Sequence, residues 1–226
     1  MLYYLTFTFA AFFSSEMIEE KLNETCEFLL QEVIETPDSV SFFALAMAAP
    51  EVMRYRELSN LIEVQALRLM YAELGSEKLD FSVGFFQMKP SFVEELERRL
   101  SRDAVLRLKY SELITYEQKP IAAIRQERIN RILDPCKSQD YLRAFAELMH
   151  FEHQEFLNCA NTREQLCFLS TAYNLGFGYE TQAILDYQDR QNFPYGSKFQ
   201  GEQYAFGTLS VRIYDQLNNM LCDLNF

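Results

Sequence analysis

The sequence predicts a mainly α-helical protein, and three observations predict it. Apolar residues recur at three- and four-residue steps along most of the chain. Turn formers are scarce: 7 Gly and 6 Pro in 226 residues are too few for a many-stranded β fold, which needs frequent tight turns. Hydrophobic residues make up 49% of the chain, with 20 Phe, 13 Tyr and no Trp, ample for a core in one domain. The expected layout is an apolar leader or N-terminal segment over residues 1–15, then a single domain over residues 16–226. Within that domain a short loop or strand segment around residues 74–90 interrupts the helices.

The elements follow in order. Leu2 to Phe13 is an apolar run too short to span a bilayer. It reads either as the core of a secretory signal or as a buried N-terminal strand or helix. No Lys or Arg precedes Lys21, and only Ser14 and Ser15 offer small residues for cleavage. Met17, Ile18, Leu22, Cys26, Leu29, Leu30 and Val33 predict a helix over residues 16–35, ended by Thr36-Pro37-Asp38-Ser39. Ala49-Pro50-Glu51 reads as a helix start with Pro in the first turn. Leu61, Ile62, Val64, Leu67, Leu69 and Met70 predict a helix over about residues 59–73, with Gly75 at its C-terminus.

Residues 74–90 interleave Gly75, Asp80, Ser82, Gly84 and Pro90 with Phe81, Val83, Phe85 and Phe86, a loop or short-strand pattern. Ser91 is expected to cap the next helix, through Leu100, with Glu94 completing a capping box. Further helices are expected at about residues 103–108, 118–133, 139–158 and 162–173. Glycine-containing loops at residues 174–178 and 192–201 follow. A last helix carries Leu209, Val211, Ile213, Leu217, Met220 and Leu221.

Composition excludes some function classes. Lys plus Arg is 21 against 33 Asp plus Glu, a formal charge of −12. Such a chain repels polyanions at long range, so nucleic acid is not an expected main partner. The five cysteines (Cys26, Cys136, Cys159, Cys167, Cys222) include no C-x-x-C pair and give no zinc or thioredoxin signature. Cys159 and Cys167 are near enough in sequence for a local disulfide, and an odd total leaves at least one thiol free. The preferred reading is small buried apolar residues.

Chemistry concentrates after the predicted 59–73 helix, which ends in a carboxylate, Glu73. A turn then leads to Gly84-Phe85-Phe86-Gln87-Met88-Lys89-Pro90, and a helix follows at once. Far downstream stands Ala172-Tyr173-Asn174-Leu175-Gly176. This order resembles the lysozyme-like superfamily, and within it the bacterial lytic transglycosylases. That family has a helix ending in the catalytic Glu, then a Gly-Leu-Met-Gln-x-x-Pro segment, then Ala-Tyr-Asn-x-Gly. The likeness covers residues 67–92 and 171–178. It departs from the family at Leu74, where Ser is usual, and in a shorter loop after Glu73.

The resemblance implies a lysozyme-like helical domain that cuts the MurNAc–GlcNAc bond of peptidoglycan, with Glu73 acting as acid and then as base. It implies substrate contacts from Ser82, Phe85, Phe86, Gln87, Tyr173, Asn174 and Tyr179. It places the protein in the periplasm or outside the cell, with peptidoglycan glycan strands and cell-envelope machinery as partners, and with no cofactor or metal.

General chemistry asks the same of Glu73. Protonating a glycosidic oxygen at neutral pH requires a carboxyl whose pKa an apolar setting has raised. A standard hydrolase also needs a second carboxylate opposite the first. In animal-type lysozymes the related turn supplies an Asp where this chain has Ser82, which favours the one-acid scheme. Asp80 keeps a muramidase reading open, though a turn residue bonding local backbone is the simpler account. Gln87 has an equally good structural role in tying the turn, and Phe85 and Phe86 are first of all core residues. A non-catalytic lysozyme-like binding or scaffold protein is the reading from a different class.

Both histidines lie in Glu147-Leu-Met-His150-Phe-Glu152-His153. A di-iron helix bundle needs two Glu-x-x-His motifs, and one is present. No P-loop, dinucleotide fingerprint or nucleophile elbow occurs.

Overall fold

A computed structural model describes residues 15–33, 39–58, 64–117, 120–194, 196 and 202–224. Of the leader expected over residues 1–15, residues 1–14 lie outside the described residues, as do Leu61 and Ile62. In chain order the elements are α1 (Ser15–Phe28) running into a π-helical turn (Leu29–Val33), α2 (Ser39–Leu58), α3 (Val64–Leu74), α4 (Pro90–Leu100), α5 (Ala104–Lys109), α6 (Ser111–Ile114), α7 (Ile121–Leu133), α8 (Pro135–Glu152), α9 (Gln154–Leu157), α10 (Thr162–Leu175), α11 (Thr181–Tyr187), β1 (Gln191–Phe193), β2 (Tyr204–Ala205) and α12 (Phe206–Leu224). The class is mainly α, as the periodicity requires. No helix among the described residues is long and apolar enough to cross a membrane.

The chain forms two compact units. One combines Met1–Arg54 with Ala160–Phe226, and the other is the continuous stretch Tyr55–Cys159.

In the first unit α10 lies closest to α12. Gly207, in the first turn of α12, permits this: a Cβ there would stand 2.7 Å from both the carbonyl oxygen and the sulfur of Cys167, and 2.9 Å from Thr171 Oγ1. α10 buries Leu166, Phe168, Leu169 and Ala172, and α12 buries Leu209, Ile213 and Leu217. α1 adds Ile18, Leu22 and Cys26, and the Cys26 thiol donates to the Ile213 carbonyl at 3.8 Å. β1 and β2 pair antiparallel, Gln191 with Ala205 and Phe193 with Tyr204.

α2 corrects one expectation. Pro50 does not start a helix; it sits inside one. A helix-interior proline removes the donor for the Ala46 carbonyl and costs about 3 kcal/mol. Here Ala44 to Met53 is buried almost without interruption, and that burial outweighs the loss.

In the second unit α3 packs against α7, while α8 packs against α4 and α7. Its core holds Tyr71, Phe86, Val93, Leu96, Ile129, Ile132, Tyr141, Leu142 and Phe145. Through that core runs a polar network. Arg128 donates from Nε and Nη2 to Glu97 Oε2 at 3.0 and 2.7 Å, and from Nη1 to Tyr71 Oη at 3.0 Å and Glu94 Oε1 at 3.1 Å. The Tyr116 and Tyr141 hydroxyls donate to Glu97 Oε1. Burial, together with the charge of Glu97, pushes both phenols well above their ordinary pKa.

This network explains a second correction. α4 begins at Pro90 with Lys89 as its uncapped N-terminal residue, so Ser91 does not cap it. Glu94 completes no capping box, because its carboxylate accepts from Tyr71 at 2.8 Å and from Ser76. Side-chain caps appear instead at Asp103, Asp134 and Asn161, the last with Glu164 in a full capping box.

The cysteines also differ from expectation. None is disulfide-bonded; Cys26 is buried, but Cys136, Cys159 and Cys222 are exposed.

Candidate functional site

The sequence-predicted residues divide between the two units. In the second unit, Gly75 (φ 79°) ends α3, with its N–H on the Tyr71 carbonyl at 2.8 Å. Arg125 Nη1 donates to the Glu73 carbonyl at 3.2 Å and so covers an orphan acceptor of that helix end. The Glu73 side chain is exposed, next to Leu74, which is 51% exposed. Its carboxylate has no partner among the described residues. The apolar enclosure expected around Glu73 is not what the loop provides: Phe86 turns into the core, and Phe85 is half-buried.

The loop itself is tightly made. Val83 and Met88 form an isolated antiparallel bridge, each N–H on the other's carbonyl at 3.0 Å. Between them Gly84 takes φ 72°, and a Cβ there would stand 2.6 Å from the Ile132 carbonyl oxygen. Gln87 takes φ 51°, the one non-glycine at positive φ among the described residues. Its backbone N–H and its side-chain Nε2 both donate to the Gly84 carbonyl, at 3.1 and 2.9 Å. Gln87 therefore ties the turn. Ser82 is half-buried beside the bridge. Asp80 accepts from the Ser91 N–H at 3.1 Å and lies 3.9 Å from Lys89 Nζ. It serves the start of α4, as a local backbone partner should.

In the first unit, Tyr173 is buried in α10, Asn174 is exposed in the last turn, and Gly176 (φ 85°) ends the helix with its N–H on the Ala172 carbonyl at 2.8 Å. Tyr179, just beyond, is 46% exposed.

The same unit holds a residue that the sequence did not single out. Glu51, one position after Pro50, is only 7% exposed. Burial raises its carboxyl to about 7, against the opposing pull of Arg54 one helical turn on. Arg54 Nη2 makes a close ionic contact with Glu51 Oε2, and both its charge and its hydrogen bonding oppose the rise. The Tyr173 phenol is driven well above its ordinary pKa, first by its own burial and then by the charge of Glu51. The signal was in the sequence: one carboxylate inside Ala44-Leu-Ala-Met-Ala-Ala-Pro-Glu51-Val-Met53, where no other residue is charged.

The histidine segment is occupied otherwise. Glu147 pairs with Lys109 at 2.5 Å, and His150 Nε2 lies 3.0 Å from Asn158 Oδ1. No group of three or more His, Cys, Asp or Glu among the described residues could hold a metal ion.

No family model matches the chain, and neither a curated protein nor a solved structure matches it.

Proposed function

We propose that this protein cleaves peptidoglycan glycan strands in the manner of a lytic transglycosylase, outside the inner membrane. The observation that carries the reading is the Gly84–Gln87 turn. A non-glycine residue in the left-handed region costs of order 1–3 kcal/mol and collects at functional positions. Here it belongs to the Gly-x-x-Gln segment that follows a helix ending in Glu73 and precedes the Ala172-Tyr173-Asn174 motif.

The reaction needs one carboxyl. As acid it gives its proton to the glycosidic oxygen while the C1–O bond breaks. As base it takes the proton of the sugar's own 6-hydroxyl while that oxygen bonds to C1, leaving a 1,6-anhydro end and consuming no water. The resemblance gives this role to Glu73. Asp80 is engaged with α4, which speaks against a second catalytic carboxylate and a muramidase. Exposure of Glu73 favours a specific alternative, a lysozyme-like protein that binds glycan without cutting it.

Muropeptide mass spectrometry after digestion of purified peptidoglycan tests the reading. Anhydro-muramyl ends are expected. Reducing ends identify a hydrolase, and sedimentation of intact protein with undigested walls identifies a binding protein. Full activity in Glu73→Gln removes the proton-donor role from that residue.

A further inference from the structure

The cleavage chemistry needs a carboxyl that carries a proton near neutral pH and is shielded from water. Glu51 is in that position. It lies on α2 among Met47, Ala48, Ala49, Val52 and Met53, each no more than 2% exposed. Its Oε2 is buried, with Arg54 Nη2 in close ionic contact with it. Arg54, its ionic partner, also serves other groups. Its Nη1 donates to the Pro194 carbonyl at 3.2 Å, and its guanidinium lies over the Phe193 ring at 5.7 Å. The phenol on which the Glu51 charge acts is Tyr173, the central residue of the Ala-Tyr-Asn motif. Among the described residues, Arg54 and Tyr173 are the titratable groups coupled to Glu51.

We infer that Glu51, rather than Glu73, is the carboxyl that donates and recovers the proton, with Tyr173 as its positioning residue and Arg54 as the partner of its ionised form. The inference rests on the glycan-cleavage reading and changes only which carboxyl performs it. Its proton goes to the leaving glycosidic oxygen as the C1–O bond breaks, and the proton of the 6-hydroxyl replaces it as the new C1–O bond forms. A carboxyl raised to about 7 is matched to both halves of that exchange.

The test compares wild type, Glu51→Gln and Glu73→Gln on purified peptidoglycan across pH 5 to 9, scoring released anhydro-muropeptides, with circular dichroism confirming the fold. Glu51→Gln is expected to lose about a hundredfold or more of the rate, and Glu73→Gln to lose less. Wild-type activity is expected to fall as pH rises above about 7. A folded Tyr173→Phe is expected to lower the rate at saturating peptidoglycan with the half-saturating amount little changed, a split that a phenol serving only packing would not produce. Glu51→Gln with near wild-type activity, or a folded Tyr173→Phe with an unchanged saturated rate, overturns the inference and leaves the cleavage reading intact. A wild type that releases nothing from walls of several types overturns the cleavage reading itself. If Glu51→Gln does not fold, Glu51→Asp replaces it: a folded, slow Glu51→Asp supports the assignment, and a folded, fully active one refutes it.

Discussion

Replacing Arg128 by Met tests what holds the second unit together. Arg128 and Glu97 are 8% and 6% exposed and share two hydrogen bonds, of 3.0 and 2.7 Å. Burial alone would lower the Arg128 pKa; the hydrogen bonds and charge of Glu97 overcome that and raise it. Met fills much of the same space, so the loss is mainly electrostatic. It strands Glu97 with only the Tyr116 and Tyr141 hydroxyls, and it removes a donor from Tyr71 and from Glu94. Breaking a buried pair from one side costs about 3–5 kcal/mol. The Glu94 contact adds little, because that side chain is 30% exposed. With a urea slope of about 2 kcal/mol/M, the unfolding midpoint should fall by about 1.5–2.5 M. Urea titration followed by far-ultraviolet circular dichroism reads this directly. The double variant Arg128→Met/Glu97→Met should recover most of the loss, because two apolar side chains leave no stranded charge. A single-variant loss under about 1 kcal/mol, or a double variant worse than the single, refutes the reasoning.

Glu51 gives stability its own pH dependence. Its folded pKa of about 7 lies above the ordinary 4.5, so the folded state holds the proton more tightly than the unfolded chain. Its contribution is whole below about pH 4.5 and is lost as pH rises through 7, on the order of 3 kcal/mol in all. Denaturation of Glu51→Gln at pH 5 and pH 8 should show a smaller fall than wild type; an equal fall sinks the assignment of that pKa. Gly207→Ala should force α10 and α12 apart, since the new Cβ meets Cys167 backbone at 2.7 Å, and should cost about 1–3 kcal/mol by thermal unfolding. An unchanged Tm would mean that the two helices are not in close contact there.

The helical character was legible because it rests on periodicity, and the periodicity reflects which faces are buried. Gly75 as a helix terminator and residues 74–90 as an irregular segment were legible for the same local reason. Pro50 and Ser91 misled because both are local signals overruled at a distance. Burial of Ala44 to Met53 carries α2 through its proline. The Tyr71–Arg128–Glu97 network draws Glu94 away from the cap it could have completed. Motif order marked Glu73, Gln87 and Tyr173, and Gln87 ties its own turn. Glu51 shows in the sequence only as the single charge of an apolar stretch; the burial that sets it apart belongs to the fold.

The first unit is built from two stretches of chain, Met1–Arg54 and Ala160–Phe226, with the second unit continuous between them. On a ribosome, Tyr55–Cys159 can complete its contacts before the partner helices of α1 and α2 have been translated. α1 and α2 emerge early with their buried apolar residues, while α12, which packs on α1 and whose Ser210 bonds the Met47 carbonyl of α2, comes far later. They are therefore the part of the nascent chain most dependent on chaperone protection. Slowing translation before Ala160 should lengthen that exposure and lower the yield of soluble protein, while leaving the Tyr55–Cys159 unit able to fold.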